Sequence, residues 1–367
     1  MNEKLLAMVL AFICAVPLMA QLEDAGPLTK AKCEEYLKTP LPPEALSVAV
    51  PKQWPDCESY KSYSGIGRKA DYGVALQCAW SERLAIQANL EPKNNEDGAF
   101  GGPAMLAVLY ANGEGVARNI PLAIRFACEA GGAPMEIQIR IEHLESLSST
   151  APANGSSFDF CDDITSGFME GFCAAYGSEI EDQKRAISFK ALVSHFTPAQ
   201  RPAFDALRKS EEDYALAHAR GEIDLSGTAR AMYQIDAEQS LRDDFLAALL
   251  SFQEGNLPKS TADAAREADL RLNSAYRKVM QDAEAHKSDY GAVQPEGIRN
   301  AERAWLSYRD AWLAFAKLRY PVVPAESWLA LLTTDRTSIL DGTFCDMDAV
   351  DKPCAQEGDT WKPSPLP

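Results

Sequence analysis

Nine cysteines are the side chains of this sequence whose chemistry follows most directly from their type and spacing. None of them forms a C-x-x-C pair, which argues against a zinc ribbon and against a thioredoxin-type redox site. Cys14 lies in an apolar run near the N-terminus. The other eight form an even set that suits disulfide bonds in an oxidising compartment: Cys33, Cys57, Cys78, Cys128, Cys161, Cys173, Cys345 and Cys354.

Side chains that could carry catalysis do not form a recognisable arrangement. The acidic pairs Asp162–Asp163 and Asp243–Asp244 are sequence neighbours, which diverge on a helix and do not share an acid–base site. The sequence has no nucleophile elbow, no S-x-x-K, no H-E-x-x-H, no P-loop and no G-x-G-x-x-G. Four histidines are scattered without paired spacing: His143, His195, His218 and His286. We therefore expect a protein that is not an enzyme and that needs no metal and no cofactor.

The charge balance points to the kind of partner. The chain has 36 Lys and Arg against 53 Asp and Glu, a formal net charge of −17. Binding to a phosphate backbone needs clustered Lys and Arg, so we expect no nucleic-acid partner. A charged partner, if there is one, should be cationic.

The N-terminus resembles an export signal. Lys4 precedes an apolar run at residues 5–19, which ends at the small residue Ala20 before a polar stretch. This pattern predicts a signal peptide cleaved near Ala20, and the run is too short to span a bilayer. We expect a periplasmic or secreted protein without a membrane span. Lipid attachment at Cys14 is the weaker alternative, because Ile13 stands where a small residue is usual.

The elements that must position these residues are helices. Apolar residues recur at helical spacing between Gly, Pro and Asn breaks, and β-type alternation is scarce, so we expect an all-α protein. Its architecture should be a short region of helical hairpins, followed by a disulfide-containing helical bundle with an internal duplication. The predicted division is a signal peptide (1–20), an irregular Pro-rich arm (21–56), helical repeats (57–147), a linker (148–157), a degenerate helical region (158–258), a helical domain (259–342) and a disulfide-looped tail (343–367).

A repeat of 48 residues organises the first part. Gly65 and Gly67 recur as Gly113 and Gly115, each pair followed by a capping residue and an alanine. A left-handed cap suits the first glycine of each pair, and Asn119 should begin a second, antiparallel helix. These residues resemble the Sel-one-like repeats, tetratricopeptide-type hairpins with the signature Y-x-x-G-x-G-V-x-x-[DN]-x-x-x-A. The resemblance implies a stacked scaffold.

The repeat register also predicts disulfides. Cys57 and Cys78 occupy the positions that Met105 and Phe126 hold in the second copy. If those two residues are in contact, a Cys57–Cys78 bond joins the same helices in the first copy, at a Cα separation of about 5–6 Å. Cys33 and Cys128 then remain for each other. Cys345 and Cys354 are close enough in sequence for a local loop.

Two helices between residues 260 and 340 carry the clearest pattern. Leu272, Tyr276, Val279 and Met280 form one apolar stripe. Four aromatic residues lie on one face of the next helix, and we expect them to be core rather than a ligand cage: Trp305, Tyr308, Trp312 and Phe315. Arg309 lies near that face, and we expect it to be buried and paired with Asp269 or Asp310.

The order D-x-x-L-N-x-x-Y, then A-[QE]-R-A-W-x-x-Y-R-D, resembles the lysozyme inhibitor LprI family of exported bacterial proteins. Glu302 stands where the family usually has Gln, and Trp312 where many members have Cys. The cysteines that open such domains imply a Cys161–Cys173 bond. The residues that carry the motif are Asp269, Leu272, Asn273, Tyr276, Arg303, Trp305, Tyr308, Arg309 and Asp310.

Residues 185–255 resemble a decayed copy of the same region at an offset near 98. Pro198, Leu207 and Tyr214 echo Glu296, Trp305 and Trp312. The polar turn at residues 222–230 is either a binding loop or, more simply, the start of a helix.

The resemblance implies a binding protein that inhibits lysozyme or a similar cationic protein directed at the envelope. An acidic inhibitor would be attracted to a basic lysozyme by a long-range field that salt weakens. The alternative is a periplasmic scaffold whose helical hairpins bind a protein partner without binding lysozyme. A hydrolase is a third reading, which no motif supports.

Overall fold

The computed structural model describes residues 26–92, 94–147 and 157–344. Within these ranges the chain forms fourteen α-helices, one short 3-10 helix (Phe160–Asp163) and no β-strand, so the predicted all-α class is confirmed. None of these helices combines the length and the apolar composition that a membrane span requires. The helices are α1 (Pro27–Tyr36), α2 (Pro43–Leu46), α3 (Ser59–Ser64), α4 (Tyr72–Gln87), α5 (Asn95–Phe100), α6 (Pro103–Asn112), α7 (Ile120–Ala130), α8 (Pro134–Leu147), α9 (Gly167–Val193), α10 (Gln200–Gly221), α11 (Arg230–Gln253), α12 (Ala262–His286), α13 (Pro295–Arg319) and α14 (Ala325–Gly342).

The chain divides into two compact units after Tyr176. The sequence predicts this boundary earlier, at residues 148–157, and the structure corrects it. Phe158 and Phe160 are buried in the core of the first unit, and Phe172 packs against that core, so the chain beyond the expected linker still belongs to the first unit. The expected signal peptide and the Cys345–Cys354 loop lie outside the described residues, as does most of the expected linker.

Two helical hairpins of the first unit repeat one turn at the predicted register of 48 residues. α3 and α6 end at Gly65 and Gly113, which are left-handed with φ of 75° and 74°. Asp71 and Asn119 then cap α4 and α7 by accepting a backbone N–H, at 3.0 and 3.1 Å. The backbone amides of both capping residues donate to a carbonyl nine positions earlier, in each case at 2.8 Å. The predicted caps and turns are therefore confirmed.

The expectation of an irregular arm at residues 21–56 is wrong in part. Residues 27–36 form α1, with Pro27 in the first turn, where its missing N–H costs nothing. Cys33 on this helix is fully buried and is bonded to Cys128 on α7. The bond and the burial hold α1 against the hairpins, and the other prolines of the arm (Pro40, Pro42, Pro43 and Pro51) lie outside this helix.

Three disulfide bonds lie in the described part of the first unit. They join Cys33 to Cys128, Cys57 to Cys78 and Cys161 to Cys173, with Cα separations of 5.6, 5.8 and 5.8 Å. These are three of the four pairs that the sequence predicts. Met105 and Phe126, which mark the equivalent position in the second hairpin, are buried in one core cluster.

The second unit has α10 and α13 at its centre, packed antiparallel along most of their length. Gln200 at the start of α10 donates to the carbonyl of Leu318 near the end of α13 at 3.1 Å. α12 and α14 run in the same direction, since the backbone amide of Ser260, just before α12, donates to the hydroxyl of Ser327 in the first turn of α14. The last residue of α12, His286, stacks on Phe344, beyond the end of α14.

Two glycines allow the close approach of α10 and α13. A Cβ added to Gly221 would lie 2.6 Å from the carbonyl oxygen of Gly297, and a Cβ on Gly297 would lie 2.5 Å from that of Gly221. No side chain fits at either position without moving backbone. The end of α10 and the start of α13 therefore touch through their main chains.

The predicted aromatic stripe of α13 is core, as expected. Trp305 and Trp312 are 2% exposed and Phe315 is fully buried. Leu207 and Tyr214 on α10 are buried like their proposed counterparts on α13. This equivalence is what an internal duplication requires, although the duplication itself stays a prediction.

Candidate functional site

The motif residues of α12 and α13 fall into two groups by burial. Leu272 and Trp305 are buried, and Tyr276 and Tyr308 are half-buried against the same core. Packing in the core accounts for the presence of these four residues in the motif. Tyr308 also stacks on Tyr214 of α10 at a centroid distance of 5.6 Å.

The polar motif residues form bonds only within their own helices. Asn273 donates to the backbone carbonyl and the carboxylate of Asp269, at 2.7 and 3.2 Å. Arg303 pairs with Glu296 at 3.1 Å and donates to Asn300. Asp269, Asn273 and Arg303 are all exposed. None of the bonds described for them ties one helix to another.

The expectation for Arg309 is only partly met. Of the two carboxylates that the sequence leaves open, Asp310 is the partner, at 2.8 Å, and Asp269 is not. The expected burial is wrong, because 27% of the Arg309 side chain is exposed. The guanidinium lies 5.5 Å from the ring centre of Trp305 at the edge of the core, where a long side chain can cover an aromatic ring and still reach water.

The most deeply buried arginine of the described second unit is Arg336 on α14, at 1% exposure against 5% for Arg185. It forms a two-pronged ion pair with Glu222, at 2.8 and 2.6 Å, and a third bond to Glu302 at 3.0 Å. It also donates to the hydroxyl of Tyr214 at 3.2 Å, and Glu222 meets His218 at 2.9 Å. The Arg336 and Glu222 side chains are both fully buried. This cluster joins α14 to α13 and to the end of α10.

Each charge in the cluster depends on the others. Burial alone would raise the pKa of Glu222, but the hydrogen bond and charge of Arg336, with His218, lower it below its ordinary value. Burial would likewise lower the pKa of Arg336, but Tyr214, Glu222 and Glu302 hold it well above the ordinary value. The cluster is therefore a charged network at neutral pH.

This network is not apparent from the sequence. Glu222 reads as part of a polar turn, and Arg336 lies outside every motif and 114 residues from Glu222. One signal was available, since Glu302 replaces the Gln that is usual in the family. The carboxylate of Glu302 lies beside a buried helix face, where it needs a cationic partner, and that partner is Arg336.

Two further carboxyl groups of the second unit are poorly compensated. Glu211 is 5% exposed, and its Oε1 accepts no hydrogen bond from the described residues. Burial raises the pKa of Glu211 to about 7, despite the charge of Arg242. Burial, with the charge of Asp244, raises the pKa of Asp335 to about 7 as well. Both groups therefore favour the protonated form far more than an ordinary carboxyl group does.

A metal site is not formed by the residues with suitable spacing. In the ranges that the structure describes, one group has such spacing, namely Cys57, Cys78 and Glu82. The two sulfurs are bonded to each other, so they offer no thiolate ligand. Glu82 is fully buried and accepts backbone N–H bonds from Ser59 and Gly102 at 2.9 and 2.8 Å, which is a structural role.

The negative charge is unevenly distributed along the chain. Residues 256–340 carry twelve basic and eleven acidic side chains, a net charge of +1, so the rest of the chain carries −18. The motif-bearing helices are therefore nearly neutral. Any long-range attraction to a cationic protein comes from other parts of the chain.

Comparisons with known proteins agree with the C-terminal motif. Residues 256–340 match the family described as lysozyme inhibitor LprI. No curated protein matches the chain, and no solved structure does. The match covers α12, α13 and nearly all of α14, and it leaves the hairpins of the first unit outside. The part of this chain from α12 to α14 is therefore similar to the LprI lysozyme inhibitors.

Proposed function

We propose that this protein is an exported inhibitor of lysozyme, or of a similar cationic protein directed at the bacterial envelope. The observation that carries the proposal is the match of residues 256–340 to the LprI family. The second unit supplies the binding surface, because it contains that segment and the polar motif residues that packing does not use. No catalytic role is assigned to any residue.

Three disulfide bonds support export. Such bonds persist in the periplasm and outside the cell and are rare in a reducing cytosol. The charged and apolar pattern of residues 1–20 supports a signal peptide with cleavage near Ala20. Lysozyme acts on the cell wall, so an inhibitor must be located where these features would place it.

The net charge supports a cationic target. A protein with a charge of −17 attracts a basic enzyme over distances up to about one Debye length, roughly 10 Å at 0.1 M salt. This attraction raises the rate of encounter more than it raises the affinity of the final complex. The inhibition should therefore weaken, but not vanish, as salt is added.

A turbidity assay tests the proposal. The mature chain is added in micromolar excess to a basic lysozyme and a suspension of bacterial cell walls, at low and at high salt. The expected result is slower clearing of the suspension, more so at low salt. An unrelated acidic protein of similar net charge is the control for non-specific pairing. Clearing at the uninhibited rate in low salt would contradict the proposal.

A scaffold is the second candidate, and the hairpin geometry favours it. The two turns of the first unit repeat one set of caps and backbone bonds at a fixed register, as stacked helical repeats do. Such hairpins present a surface to a protein partner without chemistry of their own. A scaffold would leave the clearing rate unchanged, so the same assay separates the two candidates.

A further inference from the structure

The outward face of α13 carries a short stripe that the fold does not use. Arg299, Arg303 and Leu306 follow one another at helical spacing, outside the buried stripe that carries Trp305. Arg299 is 45% exposed and Arg303 is 63% exposed, while Leu306 is an exposed large apolar residue. One of the three, Arg303, belongs to the family motif.

These arginines are held only weakly in place. Both pair with the same carboxylate, Glu296, at 3.2 and 3.1 Å, and Glu296 is itself 65% exposed. Exposed ion pairs of this kind contribute about 0–1 kcal/mol. Two guanidinium groups that share one carboxylate leave a local excess of one positive charge. A partner that offers more carboxylates can therefore displace Glu296 at little cost.

The spacing of the stripe matches a known arrangement of carboxyl groups. Glycoside hydrolases cleave with two carboxyl side chains about 5–9 Å apart in an open cleft. Residues one helical turn apart, such as Arg299 and Arg303, have Cβ atoms about 5–6 Å apart. A guanidinium pairs with a carboxylate through two parallel hydrogen bonds, which a lysine cannot do.

We propose that Arg299 and Arg303 enter the carboxylate-lined cleft of a lysozyme-type glycosidase, with Leu306 packed against the cleft wall. This inference rests on the proposed function and adds the surface and the mode of inhibition. The acidic remainder of the chain attracts the cationic enzyme from a distance, and the nearly neutral segment with its two arginines occupies the cleft. Inhibition is then competition with the sugar chain.

Charge reversal on the full mature chain tests the inference. The double variant Arg299→Glu/Arg303→Glu should inhibit at least about tenfold less well than the natural sequence, because its carboxylates would face those of the cleft. The same change makes the protein more acidic, which strengthens its long-range attraction to a basic enzyme. If the variant is folded, a loss of inhibition therefore does not come from weaker long-range attraction and reports a lost local contact.

The matched control is Arg266→Glu/Arg271→Glu on α12. These arginines are 70% and 66% exposed and lie in ion pairs within their own helix, as Arg299 and Arg303 do. The control variant has the same net charge as the test variant and should inhibit as well as the natural sequence or slightly better. Helical circular dichroism should show all three proteins equally folded.

A variant with a gain of inhibition gives a second test. Glu296→Gln frees both arginines from their shared carboxylate and should strengthen inhibition several-fold, although it makes the protein less acidic. An oligosaccharide that fills the lysozyme cleft should also displace the natural protein from the enzyme.

The outcomes separate the two proposals. If the natural protein does not inhibit, the proposed function and this inference both fail. If it inhibits, but the test and control variants are equally effective, the surface assigned here is wrong and the inhibitory function stands. Binding that the cleft oligosaccharide leaves unchanged would likewise overturn the inference alone.

Discussion

At the scale of single residues, the second unit depends on a buried charge that is fully paired. Arg336 pairs with Glu222 and Glu302. Arg309, which belongs to the family motif, is partly exposed to water and pairs with the adjacent Asp310. A buried ion pair adds little net stability compared with apolar residues of the same size, but the loss of one partner leaves the other as an uncompensated buried charge. The network therefore makes the arrangement of α10, α13 and α14 specific.

We expect Arg336→Met to lower the free energy of unfolding by about 3–5 kcal/mol, because it leaves the buried Glu222 without its cation. Arg309→Met is the matched control and should cost less than about 1 kcal/mol, because its pair is partly exposed. Urea unfolding followed by circular dichroism measures both. Equal losses in the two variants would contradict the importance assigned to the network.

Glu211 makes stability depend on pH. Its folded-state pKa is about 7 against an ordinary value of 4.5, so the folded chain binds the proton more tightly than the unfolded chain does. This contribution is fully present below pH 4.5 and is lost as the pH rises through 7. Glu211→Gln should therefore raise the free energy of unfolding at pH 8 by about 3 kcal/mol and change it little near pH 4.5.

The control for Glu211→Gln is Asp213→Asn on the same helix. Asp213 is 56% exposed and pairs with Lys209, so its replacement removes a surface ion pair and should not stabilise the protein at pH 8. Urea titrations at several pH values give the comparison. Some slope should persist in Glu211→Gln, since Asp335 also has a raised pKa. Parallel curves for the natural protein and Glu211→Gln would show that Glu211 titrates normally.

At the scale of elements, the hairpins were the most predictable part of the fold. Gly65 and Gly113 require a left-handed backbone, and Asp71 and Asn119 cap the helices that follow, so the local sequence specifies the turn twice. The register then predicts Cys57–Cys78 on one assumption, that the two helices of each hairpin are in contact at the equivalent positions. Such turns can be recognised in the sequence because the residues that determine the turn lie within a few positions of it.

Contacts between distant segments were not predictable in the same way. Nothing near Arg336 indicates that its partner is Glu222, because the contact depends on how three helices pack. For the same reason α1 was missed, since Cys33 packs in the core and bonds to Cys128 on a helix 95 residues away in sequence. The division of the motif into buried and exposed members also required the packed structure.

The Cys57–Cys78 bond should make a measurable contribution to the first hairpin. It closes a loop with a sequence separation of 21, and loops of this length give about 3 kcal/mol in the chain-entropy account. Cys57→Ser/Cys78→Ser should lower the stability of the first unit by about that amount. The comparison is Cys161→Ser/Cys173→Ser, whose shorter separation of 12 predicts a slightly smaller loss. An unchanged stability in the first variant would show that the helices alone hold the hairpin.

At the scale of the whole molecule, the disulfide bonds and the family match lie in different units. All three disulfides of the described residues lie in the first unit, while the segment similar to lysozyme inhibitors lies in the second. That segment is nearly neutral within an acidic chain. Under the proposed function, the acidic remainder of the chain attracts the cationic enzyme and residues 256–340 contact it. Added salt should therefore weaken the long-range attraction more than the direct contact.

The close approach of Gly221 and Gly297 has a consequence for how the sequence can vary over evolutionary time. Each glycine is needed only while the two helices stay this close, because the atoms that exclude a side chain at one position are main-chain atoms at the other. Once either becomes alanine and the helices separate, the second glycine loses its purpose. Sequences descended from this one should keep both glycines or lose both, and a mixed pair should be short-lived.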